Sequence, residues 1–392
     1  MQPLPVGTAR FIWRVFTEPL PEEAVRFARM KLSTSLHGMT RRQLLLVPGA
    51  VRLAGQPAPS SEAKNLTFPI ETIEGVITPA DLFFVRDHFP EPELLLSTWR
   101  LKIEGRVARA LELSLADVLE QPSTQLEALL ECAGNAAGGT AMGNAMWEGV
   151  SLSRLLEAAG AASDAVSAAF IGADTGRLRQ DAPRLPYCQV VPLEKCFRPG
   201  SLLAYKLNGR FLPHKNGFPL RAVFPGWYGM DSVKWLQRIV VLSPSDEAPG
   251  FQASGMNRLY NRMLRNQGGA VQVTRLTELL VKSVIAWPTD NIRLPAGQYV
   301  IHGFAWTGAG LVHGVDCSAD GGLSWKPAIP DSPLKPFCWV RWKFPWAATP
   351  GDHVLMSQAT DDAGRKQPLK RDRARIDGYE WNACSPVRCF VR

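Results

Sequence analysis

Apolar and polar positions change rhythm along the chain. In "LSLADVLEQ" (residues 113–121) and "VSLSRLLEAAG" (150–160), apolar residues recur at i, i+3 and i+4 behind serine, which predicts two short capped helices. Around them the repeat shortens. "TPADLFFVRDHFPEP" (78–92) has a strand-like apolar centre running into a charged, proline-bounded loop, and "AAFIGADTG" (168–176) predicts a small-residue strand and turn. "LLAYKLNGRFLP" (202–213) sets Asn-Gly between two apolar runs, the pattern of a two-residue hairpin. "GFPLRAVFPGWYGMDSVKWLQRIVVL" (217–242) predicts strands punctuated by glycine and proline.

After the polar linker "SPSDEAPG" (243–250) the pattern becomes plainly alternating. Cys338, Val340, Trp342 and Phe344 share one side of a strand, while Trp339, Arg341 and Lys343 fall on the other. "VDCSADGGLSW" (315–325) predicts a further hairpin. Short strands repeated from about residue 270 to the end predict a β-sandwich of immunoglobulin type. The 392 residues are enough for two separate cores. The chain therefore divides into an extension over 1–64, a mixed domain over 65–245 and an all-β domain over 270–392.

Composition narrows the class. Hydrophobic residues make up 46% and charged residues 20%, as in ordinary globular chains. No run reaches the roughly 18 apolar residues that a transmembrane helix needs. The net charge of +8 is not gathered into a basic run or a nucleic-acid-reading motif, so nucleic acid is not an expected partner. Such a field suits small oxyanions or an acidic redox protein. The seven cysteines form no CxxC pair, which argues against thioredoxin chemistry, zinc ribbons and covalent c-type haem. Cys384 and Cys389 are either a C-terminal disulfide or two free, half-buried thiols. From Met39, "MTRRQLLLVPGAVRLAGQPA" pairs two arginines with a short apolar segment, like a twin-arginine export signal. The export reading makes Met39 the start codon and the compartment periplasmic; an amphipathic helix in a cytoplasmic protein is the other reading.

One stretch carries the chemistry. "LLECAGNAAGG" (129–139) follows Cys132 mainly with alanines and glycines. A metal-bound thiolate needs no base, because coordination itself keeps the sulfur deprotonated. Small flanking residues let backbone approach a large flat cofactor.

"FFVRDH", "CAGN", "GNAMWEGVSLSRLL", "NGFPLRAVFPGWYGMDSVKWL", "GFAWTGAG" and "VDCSADGGLSW" follow one another in the order found in the sulfite oxidase family, which the chain resembles from about residue 65 to 392. The resemblance implies an α+β protein: a sulfite-oxidase-type molybdopterin domain followed by an immunoglobulin-like dimerisation domain. It implies a molybdenum pyranopterin dithiolene, a homodimer and an external cytochrome as electron acceptor. No "HPGG"-type segment precedes the domain, so no haem is expected. Cys132 would be the molybdenum ligand. Arg86 would serve catalysis, and Phe84, Arg86 and His88 would reach the cofactor and the oxyanion pocket. Asp181 would contact the pterin, and Arg221, Ser232 and Lys234 would hold its phosphate, which a bidentate guanidinium and an ammonium suit.

The departures from the family pattern concern the substrate. Where the family reads "CAGNRR", this chain has Ala136 and Ala137. The segment from Cys132 to Trp147 is about a dozen residues shorter than the family's, Asp87 stands where Asn is usual, and Asn216 replaces a pterin-contacting His. Met256 and Tyr260 are alternatives for the pocket tyrosine, and Arg258 and Arg262 are candidates to restore positive charge. A charge-assisted hydrogen bond to an anion is worth roughly 1.5–3 kcal/mol, so a larger or less charged sulfur compound than sulfite becomes plausible. The leading expectation is oxygen-atom transfer at a sulfur centre. An S-oxide or N-oxide reductase and a non-catalytic anion-binding scaffold are the alternatives. A zinc hydrolase lacks any HExxH.

Overall fold

The computed structural model describes residues 62–136, 138–246 and 259–392. The twin-arginine segment, Ala137, Met256 and Arg258 lie outside them. Apart from 95–97, the described residues form one compact unit.

Two five-stranded sheets make up its first half. One has the order β10-β9-β6-β5, with β11 also on β9; these are Arg210–Phe211, Leu202–Leu207, Met142–Ser151, Ser123–Glu131 and Arg221–Val223. The other has the order β4-β3-β12-β7-β8: Leu111–Leu113, Leu101–Gly105, Leu236–Leu242, Ser167–Gly176 and Leu185–Pro192. Only β12 and β3 run parallel in this second sheet. The predicted Asn-Gly hairpin joins β9 to β10, and Asn208 (φ 51°) and Gly209 (φ 78°) take the left-handed conformation that such a turn requires. The predicted helices are α1 (Leu115–Glu120) and α2 (Leu152–Ala159). Ser114 closes a capping box with Asp117 on α1, and Gly160 ends α2 in a left-handed cap. "AAFIGADTG" is strand throughout, within β7, without the expected turn.

"FFVRDH" forms only the two-residue strand β2 (Val85–Arg86), paired with β1 (Asn65–Leu66). Its alternation still sorts the side chains. Phe83, Val85, Asp87 and Phe89 are buried, while Phe84, Arg86 and His88 stay at least partly open.

The second half is strand-dominated, as its rhythm predicts. A hairpin of β13 (Asn261–Arg265) and β14 (Val271–Arg275) leads into two sheets. One is β15-β17-β21-β20, formed by Lys282–Trp287, Gly297–Trp306, Val340–Ala348 and Ile329–Pro330. The other is β16-β23-β22-β18-β19: Ile292–Leu294, Val387–Val391, Gly351–Asp361, Val312–Ser318 and Lys326–Pro327. They share a core that includes Ile301, Trp342 and Trp346 from one sheet and Val315, Leu355 and Cys389 from the other, which makes a β-sandwich. The hairpin across Asp320-Gly321-Gly322 is present as β18–β19.

Trp346 lies in the sandwich core, and Trp339 packs against Phe304 at 4.3 Å between centroids, because each finds a complementary apolar wall. Cys384 and Cys389 are free and buried. That second core cluster also contains Phe68, Leu129 and Tyr228, so the apolar interior runs from the cysteine-bearing sheet into the C-terminal strands. Gly226 (φ 76°) sits where a Cβ would come within 2.3 Å of the Gly308 carbonyl oxygen, so a bare backbone is needed for this approach.

Candidate active site

Strands β5 and β6 pair in unbroken register from Ser123↔Val150 to Glu131↔Met142, which leaves residues 132–141 as the connecting loop. Asn135 organises it. Its Oδ1 accepts the Ala141 N–H at 3.0 Å, and its Nδ2 donates to Glu131 Oε1 at 3.0 Å. The Cys132 N–H donates to the Ala141 carbonyl at 2.9 Å, and the Asn135 N–H to the Cys132 carbonyl at 2.9 Å. Of the seven cysteines, Cys132 alone is not fully buried. Burial still pushes its thiol up, against a Gly134 N–H and the positive charge of Arg86. A thiol in this state becomes a thiolate when a metal takes the sulfur, rather than spontaneously.

Cys132 opens onto a cavity of about 500 Å³. Phe84, Arg86, His88, Asn216, Arg221, Ser232 and Lys234 line the same cavity. The sequence separates these residues by up to about 150 positions; the short strand β2, the β5–β6 loop and the β11–β12 region bring them to one wall. Asp181 is not brought there. It is exposed in the loop after β7, and the carboxylate on the cavity wall is Asp174, on β7 itself.

The charges around the cavity are unevenly satisfied. Arg221 is buried, donating from Nη1 to the Asn216 carbonyl at 3.0 Å and from Nη2 to the Ser232 carbonyl at 2.9 Å. Its guanidinium lies over the Trp147 ring at 5.2 Å and has no carboxylate partner among the described residues. Its Nε has no hydrogen-bond partner among the described residues, and burial brings its pKa down to about 9. Lys234 is different: it is ion-paired with buried Asp87 and donates to the Lys215 carbonyl at 3.1 Å. Gly217 (φ 108°) lets the backbone pass Lys234, where a Cβ would stand 3.0 Å from the Lys234 Cβ. Asp174 Oδ1 and Asn216 Oδ1 are buried without donors among the described residues, and burial raises the Asp174 carboxyl to about 7. A buried cation lacking an anion, beside buried acceptors lacking donors, is the complement of a ligand carrying both a phosphate and ring N–H groups. The residues present therefore fit a pterin phosphate.

The open side carries tyrosines. Tyr260 lines the cavity, and its hydroxyl lies 3.4 Å from His88 Nδ1. Buried Tyr187, also on the wall, donates to the Met230 carbonyl at 2.9 Å. Burial and Arg86 hold the His88 imidazole below its usual range. Arg86 is exposed and makes no ion pair or side-chain hydrogen bond with a described residue. Arg262 does not supply charge to the cavity. Its guanidinium is held bidentate by buried Glu380, at 2.7 and 2.8 Å, because that carboxylate would otherwise be unpaired. Asp174, Tyr187 and Tyr379 are wall residues that sequence reasoning passes over. For Asp174 a signal existed: it is the one carboxylate in an otherwise small and apolar strand.

The chain is similar to known proteins over both of its halves. Residues 88–250 match the oxidoreductase molybdopterin binding domain, and residues 273–383 match the Mo-co oxidoreductase dimerisation domain. The chain is 31% identical over 336 residues to sulfite oxidase of Gallus gallus, covering 79% of this chain and 72% of that one. It is 32% identical to mitochondrial sulfite oxidase of Homo sapiens, covering 75% of this chain and 58% of the relative. Among solved structures it superposes on the sulfane dehydrogenase SoxCD from Paracoccus pantotrophus with a TM-score of 0.73 and 28% identity, over 87% of this chain and 92% of that one.

Proposed function

The chain belongs to the sulfite oxidase family of molybdenum oxidoreductases, and we propose that it oxidises a sulfur centre larger or less charged than sulfite, passing electrons to an external cytochrome. The observation that carries this reading is the contrast within one cavity. The cofactor side keeps Cys132 and the uncompensated buried cation Arg221, while the substrate side presents Ala136, Tyr260 and Tyr379 with Arg86 as its unpaired cation. The likeness to the sulfane dehydrogenase SoxCD supports a sulfur substrate of this kind.

In this reading the Cys132 sulfur holds the metal, and Arg221 with Ser232 and Lys234 holds the pterin phosphate. The bound molybdenum pterin supplies the two-electron oxidation and the oxygen-atom transfer. The protein's part is positioning and field. Arg86 attracts and orients an anionic group at the mouth, and a guanidinium there favours negative charge developing on the substrate. His88, kept neutral near pH 7 by burial and by Arg86, exchanges a hydrogen bond with Tyr260 rather than adding a second full charge. The β-sandwich is read as the homodimer contact, in line with the dimerisation domain that it matches.

Steady-state assays with cytochrome c as acceptor test the proposal, comparing sulfite with thiosulfate and an organic persulfide. The expected result is a higher kcat/KM for a sulfane substrate than for sulfite. A preference for sulfite, or turnover only of sulfoxides with a reduced dye, would contradict it.

A further inference from the structure

Next to Cys132 stands a buried carboxylate that does not face the cavity. Glu131 is 2% exposed and receives three hydrogen bonds from side chains. Oε1 accepts from Asn135 Nδ2 at 3.0 Å and from Lys282 Nζ at 2.8 Å, and Oε2 accepts from Trp306 Nε1 at 2.8 Å. Lys282 and Trp306 lie directly opposite each other on β15 and β17, and the ammonium sits 5.7 Å from the indole ring. The Glu131 main chain is held as well, its carbonyl accepting the Gly229 N–H at 2.7 Å.

From this carboxylate a continuous path of hydrogen bonds reaches the thiol-bearing residue. Glu131 fixes the Asn135 amide, Asn135 fixes the Ala141 N–H, and the Ala141 carbonyl receives the Cys132 N–H. Lys282 Nζ also lies 3.5 Å from the Ala136 carbonyl, within the same loop. Two cross-strand neighbours from the C-terminal β region thus grip the root of a loop that belongs to the first half of the chain. Burying an ion pair is poor value for stability alone, since an apolar replacement commonly does as well. Its specific gain is a fixed geometry.

We propose that Glu131 is a positioning residue for the Cys132 sulfur, clamped by Lys282 and Trp306 so that the C-terminal strands set where the thiol points. The role rests on the reading of Cys132 as the metal ligand, but half of its test does not need the metal. In metal-free protein, Cys132 is the accessible thiol among seven, so its alkylation by iodoacetamide reports how tightly the loop is held. In molybdenum-loaded protein, the visible sulfur-to-metal absorption reports the direction of the sulfur. Trp306→Phe removes one arm of the clamp without changing any charge, and Glu131→Gln weakens all three. Val315→Ala, in the sandwich core, serves as a control for general destabilisation.

Both clamp variants are expected to be alkylated at least threefold faster and to shift the absorption, while Val315→Ala leaves both unchanged at a similar loss of Tm. Alkylation rates equal to that of the original protein in Trp306→Phe would overturn the proposal, as would an equal acceleration in Val315→Ala. If Glu131→Gln does not fold, Trp306→Phe decides alone. If alkylation responds but no sulfur-to-metal absorption exists in the unmutated protein, the clamp stands and the metal-ligand reading falls.

Discussion

Replacing Asp174 by Asn should make the metal-free protein markedly less sensitive to a rise in pH from about 5 to about 8. Asp174 is 4% exposed, its Oδ1 has no donor, and burial raises its carboxyl from 3.8 to about 7 against the pull of Lys234. The sign follows from linkage. In the folded protein the group keeps its proton to about pH 7, whereas in the unfolded chain it loses it near pH 4. Its contribution is therefore fully present below the unfolded value and is lost as pH rises through the folded one. At about 1.4 kcal/mol for each tenfold change in proton affinity, the whole loss is at most about 4 kcal/mol, of which roughly 3 kcal/mol falls between pH 5 and 8. Asn is neutral at every pH and keeps the Oδ1 acceptor, so it removes the dependence with little change of shape. Urea-unfolding midpoints of metal-free protein, measured at half-unit steps from pH 5 to 8, give the curve. The difference between original and variant isolates Asp174 from Asp231, which burial also raises, to about 6. The variant should gain steadily on the original above pH 5. Parallel curves would refute the reasoning and show that Asp174 is solvated or paired in solution.

Two further outcomes concern the ends of the cavity. Arg221→Gln removes the buried cation without a carboxylate partner; retention of the phosphate-bearing cofactor after dialysis should fall by about 10- to 150-fold in affinity, the equivalent of one charge-assisted hydrogen bond, as read by the molybdenum-to-protein ratio. Ala136→Arg restores a guanidinium at the cavity mouth, where the family pattern carries one; kcat/KM for sulfite should rise about tenfold or more relative to an uncharged sulfur substrate, and an unchanged ratio would show that this rim does not set specificity.

Much of this arrangement is legible in the chain itself, for identifiable reasons. The Asn-Gly hairpin, the Ser114 cap and the Asp-Gly-Gly turn are local, so a few neighbouring residues determine them. Cys132 stands out because small residues follow it. What stays hidden depends on partners far along the chain. Arg262 looks like a free cation until buried Glu380, more than 100 positions later, claims it. Trp339 shares its side of the alternation with Arg341 and Lys343 and is buried all the same, under Phe304. Asp181 and Asp174 are both carboxylates near the end of one strand, and only the length of β7 shows which of them reaches the cavity. Glu131 gives no sign at all, since its three side-chain partners come from the loop it anchors and from two strands of the other half.

The central claim is a bond between the Cys132 sulfur and molybdenum. X-ray absorption at the molybdenum edge, on protein made in a cofactor-competent host, measures it directly when the original is compared with Cys132→Ser. The variant should show one fewer sulfur neighbour of the metal, with the pterin sulfurs retained. An identical sulfur shell in the two proteins would contradict it.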